Sequence, residues 1–310
     1  ELFEPDMDRI LPYVEKVMER MPIWADAGIQ RIVRGASPHT PDGKPMLGPA
    51  MGLENFWMCC GSSIGIAQGT GCGKYLAQWM IHGDAEINMA GLDPRRFCGI
   101  NDDDWVRSKS FQDYTHMYKL HLPGEERSAG RGLRTSSLYE KLKDKGAVFT
   151  EAAGWERPKW FSLDGRVEET GFGRSNIHDV VGAECTAVRT GVGVTDLSSF
   201  AKFDVSGADA ETFLNRITAN RIAKRQGGIT LTHLLGDNGM IHSEATISFL
   251  AEGHYYVLSG AFAQHRDLDH LRLPIRTDED VEIEDISDDW GVLVVAGPKS
   301  RETLAKITAV

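Results

Sequence analysis

The chain has 310 residues, about the length of two domains. Its 41% hydrophobic and 25% charged residues are typical of a globular protein and exclude a disordered chain or a disulfide scaffold. A net charge of −11 and the lack of an apolar run near the ~20 residues of a membrane span argue against general nucleic-acid binding and against membrane insertion.

The first half of the chain predicts helices separated by turn-rich segments. Apolar residues three and four apart predict an amphipathic helix over residues 9–21. Residues 29–34 and 55–60 are strand candidates, and the glycine-rich segment 61–73 leads into a helix that ends at Gly83. Further along, residues 137–140 have the form of a capping box for a helix that runs to Gly146, and Trp155–Phe161 is expected to be an irregular connection.

From about residue 175 the pattern becomes α+β. The predicted elements are strands at 203–205, Ile229–Leu235, 240–250 and His254–Ser259, and a helix at Ala210–Ile217. The acid-rich stretch 278–289 is expected to form a solvated loop and an edge strand. Residues 291–296 are expected to form a buried strand, with Pro298 at a helix start.

The five cysteines, at positions 59, 60, 72, 98 and 185, have no framework spacing. We expect reduced thiols in an intracellular compartment, with Cys72, Cys98, Cys185 and one of the adjacent Cys59 and Cys60 buried. There is no Cys-x-x-Cys motif and no recognisable ligand spacing of histidines, so no metal site is predicted. Residue 1 is Glu, and the last residues begin a helical pattern, so we expect an internal piece of a longer polypeptide.

Residues 69–74 read Gly-Thr-Gly-Cys-Gly-Lys but do not form a phosphate loop. Gln68 stands where the motif needs its first glycine, and Tyr75 stands where Ser or Thr must bind Mg²⁺. The dinucleotide fingerprint fails on spacing as well. Glycines ahead of a helix would either let a ligand approach backbone N–H groups or let a strand and helix pack tightly, and both interpretations remain open.

Glu244 lies in a predicted strand, where strict alternation places it on one face with His242 and Thr246. A single acid in a strand usually faces solvent. The functional alternative is a carboxylate that accepts hydrogen bonds from the N–H and amino groups of a heterocycle.

Several motifs together resemble a known family, and they occur in the family's order. Residues 41–49 and 60–71 resemble the closing part of the flavin domain of amine-oxidising flavoproteins. Similarity to the central domain of dimethylglycine and sarcosine dehydrogenases is found at residues 92–97, 130–131, 137–139, 146–149 and 154–158. Similarity to the start of their folate-binding aminomethyltransferase-like domain is found at residues 184–189, 192–200 and 239–247.

The resemblance implies a multidomain fold of α/β and α+β parts. We expect the C-terminal portion of an amine-oxidase-type FAD domain at 1–97 and a central connecting domain at 98–158. Residues 159–310 would be the truncated N-terminal portion of an aminomethyltransferase-like domain, similar to the glycine cleavage T-protein.

The family's activity is FAD-dependent oxidative N-demethylation of a methylated glycine, dimethylglycine or sarcosine, with transfer of the one-carbon unit to tetrahydrofolate. By resemblance, FAD contacts Gly48, Ser62, Ser63, Ile64, Gly65 and Ile66, and Glu244 matches the acid that holds the folate pterin. Catalytic residues are expected upstream. The partners implied are a small N-methyl amine and an electron-acceptor protein, in the cytoplasm of a bacterium or the mitochondrial matrix of a eukaryote.

Two positions depart from the pattern of related enzymes. Ala67 stands where simpler sarcosine oxidases carry a lysine near the flavin, which argues against an oxidase of that type and is compatible with a dehydrogenase. Leu231 stands where the folate domain often has Tyr. Two alternatives remain open: a non-catalytic regulatory subunit resembling that of pyruvate dehydrogenase phosphatase, and a folate-dependent methyltransferase acting on another methylated osmolyte.

Overall fold

The computed structural model describes residues 2–97, 99–100, 102–236 and 239–308. The helices of this part are α1 Met7–Arg20, α2 Gly65–His82, α3 Asp103–His116, α4 Tyr139–Asp144, α5 His178–Thr190, α6 Ala210–Ile217, α7 Gln264–Arg272 and α8 Ser300–Leu304. The strands are β1 Leu2–Phe3, β2 Arg34–Gly35, β3 Met46–Pro49, β4 Trp57–Cys60, β5 Ala147–Ala152, β6 Trp155–Phe161, β7 Gly193–Asp196, β8 Ala201–Ser206, β9 Ile229–Leu235, β10 Ile241–Ala251, β11 His254–Ser259, β12 Glu282–Asp285 and β13 Leu293–Ala296. Within these ranges, none of the helices combines the length and apolarity that crossing a membrane requires.

The largest core belongs to a five-stranded antiparallel sheet in the order β12-β8-β11-β10-β9. Helices α6 and α7 cover one face of this sheet, because alternate strand residues and the apolar stripes of both helices point toward each other. The residues buried between them are Phe203, Val205, Phe213, Leu214, Ala245, Ile247, Tyr255, Val257 and Leu271. On the opposite face the side chains of Ile229 and Leu231 are exposed.

A smaller core near the N-terminal end joins the antiparallel pair β3–β4 to helix α2. Its buried side chains are Leu47, Cys72, Leu76, Trp79 and Met89. Of the buried residues of α2, Cys72 lies near the middle of the helix and Leu76 and Trp79 lie in its C-terminal half. The helix ends at Gly83, whose backbone is left-handed with φ +77°. Glycine is the residue that takes this conformation without steric cost.

Many predicted elements are confirmed. The helix predicted over 9–21 is α1, and α6, β9 and β11 have the predicted bounds. The hairpin β10–β11 turns where predicted, and β12 is an edge strand within the acid-rich stretch.

Other predictions are wrong. Trp155–Phe161 is the regular strand β6, in which Trp160 is buried and the pairing shifts next to Pro158. The capping box does not form, because α4 begins after Leu138 and has no side-chain cap. The strand expected to be buried at 291–296 is β13, which among the described strands pairs with β7 alone and is mostly exposed. The strand expected at 29–34 is reduced to the two residues of β2.

The cysteine predictions also need correction. Cys72 is buried as expected, but Cys59, Cys60 and Cys185 are exposed. Cys59 and Cys60 are the last two residues of β4, in the two-stranded sheet β3–β4, and both are exposed there. Cys98 lies outside the described residues.

Candidate functional site

The loop that follows β4 leads directly to the N-terminal end of α2. The hydroxyl of Ser62 donates a hydrogen bond of 3.0 Å to the Gln68 side-chain oxygen, which fixes the loop to the first turns of the helix. Ile64 occupies the N-cap position without a side-chain cap, and Ile66 is fully exposed. The positive end of the helix dipole and its first N–H groups are therefore available to an electron-rich group.

The glycines of α2 lie inside the helix, not ahead of it as expected. A Cβ atom built at Gly65, Gly69, Gly71 or Gly73 meets nothing within 4 Å. Neither close contact within the described residues nor a left-handed backbone accounts for these glycines. Gly65, Gly69 and Gly73 are four residues apart and form an open strip on one side of the helix, whereas Gly71 lies on another side.

Gly48 differs from the other predicted flavin contacts. It lies in β3 with φ +146°, and an added Cβ would sit 2.7 Å from the Trp79 ring. Close packing against α2 is thus one reason for a glycine at this position. Gly48 and residues 62–66 belong to the same β3–β4–α2 unit, whereas Glu244 lies in the five-stranded sheet.

Glu244 projects from β10 on the open face of that sheet, with 64% of its side chain exposed. Its cross-strand neighbour on β9 is His233, whose Nε2 lies 3.7 Å from the carboxylate, beyond hydrogen-bond distance. The next pair on this face is Thr246 and the exposed Leu231. The carboxylate therefore lies one residue pair from an exposed apolar side chain, an arrangement that suits a flat heterocycle with donors along one edge.

The expectation that His242 shares a face with Glu244 is wrong. The pairing of β10 with β9 shifts between Ile241 and Ser243, so His242 is an extra, bulged residue that breaks the alternation. Its ring stacks on His270 of α7 at 5.0 Å and its Nδ1 lies 3.2 Å from Asp84. His242 thus points toward α7 and the residues that follow α2, away from the open face.

Sequence reasoning missed a network of charges between the N-terminal part of the chain and α7. The Arg95 guanidinium donates to Asp93 at 2.7 Å and to Asp269 at 2.5 Å. Burial alone would lower the pKa of Arg95, but the hydrogen bonds to both carboxylates outweigh it and raise that pKa. Asp93 and Asp269 lie 176 positions apart, so no local pattern could have revealed the network.

Burial shifts the pKa values of two further polar side chains of α7. Asp267 has a fully buried side chain and accepts a hydrogen bond of 2.8 Å from Ser243, and its burial raises the pKa of its carboxyl group. Burial and the charge of Arg95 lower the pKa of His265. In the described ranges, no group of three His, Cys, Asp or Glu side chains is arranged to hold a metal ion.

Comparison with known proteins assigns families to three consecutive segments. Residues 138–310 match the family model of the GCVT N-terminal domain, which covers more than half of the chain. The chain belongs to the GCVT N-terminal domain family. Ahead of this GCVT segment, residues 82–136 match the FAD dependent oxidoreductase central domain and residues 1–79 match the FAD dependent oxidoreductase model.

Whole-chain similarity extends to several longer proteins. The chain is 36% identical to mitochondrial dimethylglycine dehydrogenase of Homo sapiens, over all of the chain and 36% of that protein. It is 31% identical to human mitochondrial sarcosine dehydrogenase, over 99% of the chain and 38% of that protein. Against the mitochondrial pyruvate dehydrogenase phosphatase regulatory subunit of Mus musculus it is 28% identical, over 98% of the chain and 36% of that protein.

The chain therefore spans a little over a third of the length of these relatives. The predicted resemblance and the predicted fold class are confirmed: flavin-dependent oxidoreductase segments precede the GCVT segment. The domain limits at 97 and 158, and the roles of the individual site residues, stay predictions.

Proposed function

We propose that this chain forms part of an FAD-dependent dehydrogenase that demethylates a methylated glycine and passes the one-carbon unit to tetrahydrofolate. The observation that carries the proposal is the presence of two separate candidate sites. The candidate flavin site lies in the segment that matches a flavin-dependent family, and the candidate folate site lies in the segment that matches the GCVT family. The open N-terminal end of α2 lies in the FAD dependent oxidoreductase segment, and the exposed Glu244 lies in the GCVT segment.

The first site fits one edge of a flavin ring. Bound FAD would supply oxidation, accepting a hydride from the N-methyl carbon of the amine. Backbone N–H groups of residues 62–66 would donate hydrogen bonds, and the positive end of α2 would stabilise the negative charge of the reduced ring. The glycine strip along α2 leaves room for whatever lies against it.

The second site fits the pterin of tetrahydrofolate, which would capture the one-carbon unit as methylene-tetrahydrofolate. The Glu244 carboxylate would accept hydrogen bonds from the pterin amino group and the neighbouring ring N–H. Leu231, exposed beside it, would cover one side of the ring by apolar contact in place of an aromatic residue.

Glu244→Gln in the complete polypeptide tests the folate site. The substitution keeps the shape but replaces one acceptor by a donor, so we expect folate affinity to fall about tenfold, equivalent to ~1.4 kcal/mol. Isothermal calorimetry measures the affinity, and a formaldehyde assay follows the one-carbon unit that folate no longer captures. Glu252→Gln, an exposed acid in the β10–β11 turn, is the matched control.

The outcomes separate the parts of the proposal. Unchanged affinity in Glu244→Gln would remove this residue from the site, and no folate binding by the wild type would remove the folate function. For the flavin site, Gly65→Val should lower the flavin content of the complete polypeptide with the fold intact, because a Cβ at this position meets nothing. Normal flavin content in that variant would argue that the loop is structural.

The regulatory alternative is favoured by one observation, the whole-chain similarity to the pyruvate dehydrogenase phosphatase regulatory subunit. A complete polypeptide that is yellow, and that an N-methyl amine bleaches without oxygen, supports the dehydrogenase; a colourless one supports the regulatory subunit. An electron-acceptor protein would then reoxidise the flavin. The enzyme would act in the mitochondrial matrix of a eukaryote or in the cytoplasm of a bacterium.

A further inference from the structure

A bulge in β10 decides which way Glu244 points. Ile241 pairs with β9 and has an exposed side chain, so a regular strand that continued from Ile241 would turn Glu244 toward the core. The pairing instead shifts between Ile241 and Ser243, with His242 as the extra residue. A shift of one residue exchanges the two faces of a strand, and accordingly Glu244 projects from the open face while Ala245 is buried.

Helix α7 holds the bulged residues through three contacts. Arg266 donates from Nη2 to the His242 carbonyl oxygen at 2.6 Å, and the hydroxyl of Ser243 donates to the Asp267 carboxylate at 2.8 Å. The His242 ring stacks on the ring of His270, with 5.0 Å between the ring centroids and 26° between the ring planes. The GCVT segment thus supplies its own support on the side of α7.

Asp84 adds a contact from a different segment of the chain. It lies two residues after the end of α2, in the part that matches the FAD dependent oxidoreductase central domain. Its Oδ1 accepts a hydrogen bond of 2.8 Å from the backbone N–H of Ala85, which orients the carboxylate. Its Oδ2 lies 3.2 Å from Nδ1 of His242, whose side chain is only 19% exposed. The oxidoreductase part of the chain therefore reaches the bulge directly.

Close packing does not fix the His242 ring on the side of Asp84. A cleft of about 610 Å³ borders Asp84, His242 and His270 together. A ring that borders open space lacks the dense contacts that hold a core side chain in one rotamer. The Asp84 carboxylate is therefore a polar restraint at a place where packing provides little.

We propose that Asp84 is a positioning residue for Glu244, because through His242 it secures the bulge that turns the Glu244 carboxylate to the open face. Its effect on folate binding rests on the proposed function, whereas its hold on the bulge does not. Helix α2 has 18 residues and is about 27 Å long. It would thus place the candidate flavin site at one end and support the strand of the candidate folate site at the other.

Calorimetric titration of the complete polypeptide with tetrahydrofolate tests the proposal on Asp84→Ala, His242→Phe and the double variant. His242→Phe removes Nδ1 but keeps a ring that can stack on His270. Each single substitution should weaken tetrahydrofolate binding about threefold or more, and the double variant should lose no more than the weaker-binding single variant, because both break one contact. Glu86→Gln, an exposed acid two positions along the chain, is the matched control and should bind as the wild type does.

Hydrogen exchange of the ligand-free protein gives a measurement that does not need folate. The amides of residues 241–246 should exchange about threefold faster in Asp84→Ala and in His242→Phe than in the wild type or in Glu86→Gln, because a weakened restraint lets the bulge open more often. Flavin content should stay at the wild-type level, because that site lies at the other end of α2.

The outcomes distinguish this proposal from the proposed function. Faster exchange together with weaker, non-additive folate binding supports the positioning role. Faster exchange with unchanged affinity would make the contact merely structural and overturn that role. Wild-type exchange and affinity in Asp84→Ala, or losses of affinity that multiply in the double variant, also overturn it. If the wild type binds no tetrahydrofolate, the proposed function fails, and the exchange rates alone decide whether Asp84 secures the bulge.

Discussion

Replacing Arg95 by methionine should destabilise the protein strongly. Only 12% of the Arg95 side chain and 4% of the Asp93 side chain are exposed, so the substitution leaves Asp93 as a buried carboxylate without its cation. Breaking a buried ion pair in this way costs about 3–5 kcal/mol of unfolding free energy. Asp269, at 39% exposure, regains part of its hydration and adds little.

Two variants make the measurement specific. Asp269→Asn removes only the partner on α7 and keeps the Arg95–Asp93 pair, so its cost should be about 1 kcal/mol or less. Arg107→Met removes an exposed arginine 3.8 Å from Asp104 and should have no measurable effect. Urea unfolding followed by tryptophan fluorescence gives the free energies. If Arg95→Met were as mild as Arg107→Met, the buried network would not stabilise the contact with α7, and the reasoning would fail.

Three further predictions follow from single side chains. Burial raises the pKa of Asp267, so the folded state binds the proton of this carboxyl group more tightly than the unfolded state does. The wild type should therefore lose stability relative to Asp267→Asn as pH rises from 4 to 7, and thermal unfolding at both pH values checks the sign of this change. Gly48→Ala should cost about 1–3 kcal/mol by denaturant titration, since its Cβ would overlap the Trp79 ring. In timed alkylation followed by mass spectrometry, exposed Cys185 should react well before Cys72, whose thiol has its pKa raised by burial; equal rates would contradict the burial.

The sequence predicted elements well where local signals and burial agree. Helix α6 and strand β9 have the predicted bounds because their apolar residues repeat with the period of one face, and that face lies in the core. Trp155–Phe161 was expected to be irregular because of Pro158. A two-stranded pair tolerates a proline, since an edge strand leaves backbone positions that need no ladder hydrogen bond.

The candidate site was predictable only in part. The family motifs located residues 62–66 and Glu244, and the strand that carries Glu244 formed as expected. The bulge at His242 was not predictable from local pattern, because the contacts that accompany it join His242 and Ser243 to Arg266 and Asp267 of α7, more than 20 residues away. The Arg95 network was hidden for the same reason, since residues distant in sequence meet only once the chain has folded.

The glycine strip along α2 has a consequence for local stability. Each glycine inside a helix costs about 1 kcal/mol relative to alanine, and Gly69, Gly71 and Gly73 fall within four residues of one another. Among the buried side chains that anchor the helix, Leu76 and Trp79 lie in its C-terminal half and Cys72 lies near its middle. The first two turns of α2 should therefore open and exchange their amide protons more readily than the last two. A molecule that binds there would order a segment of the chain as well as contact it.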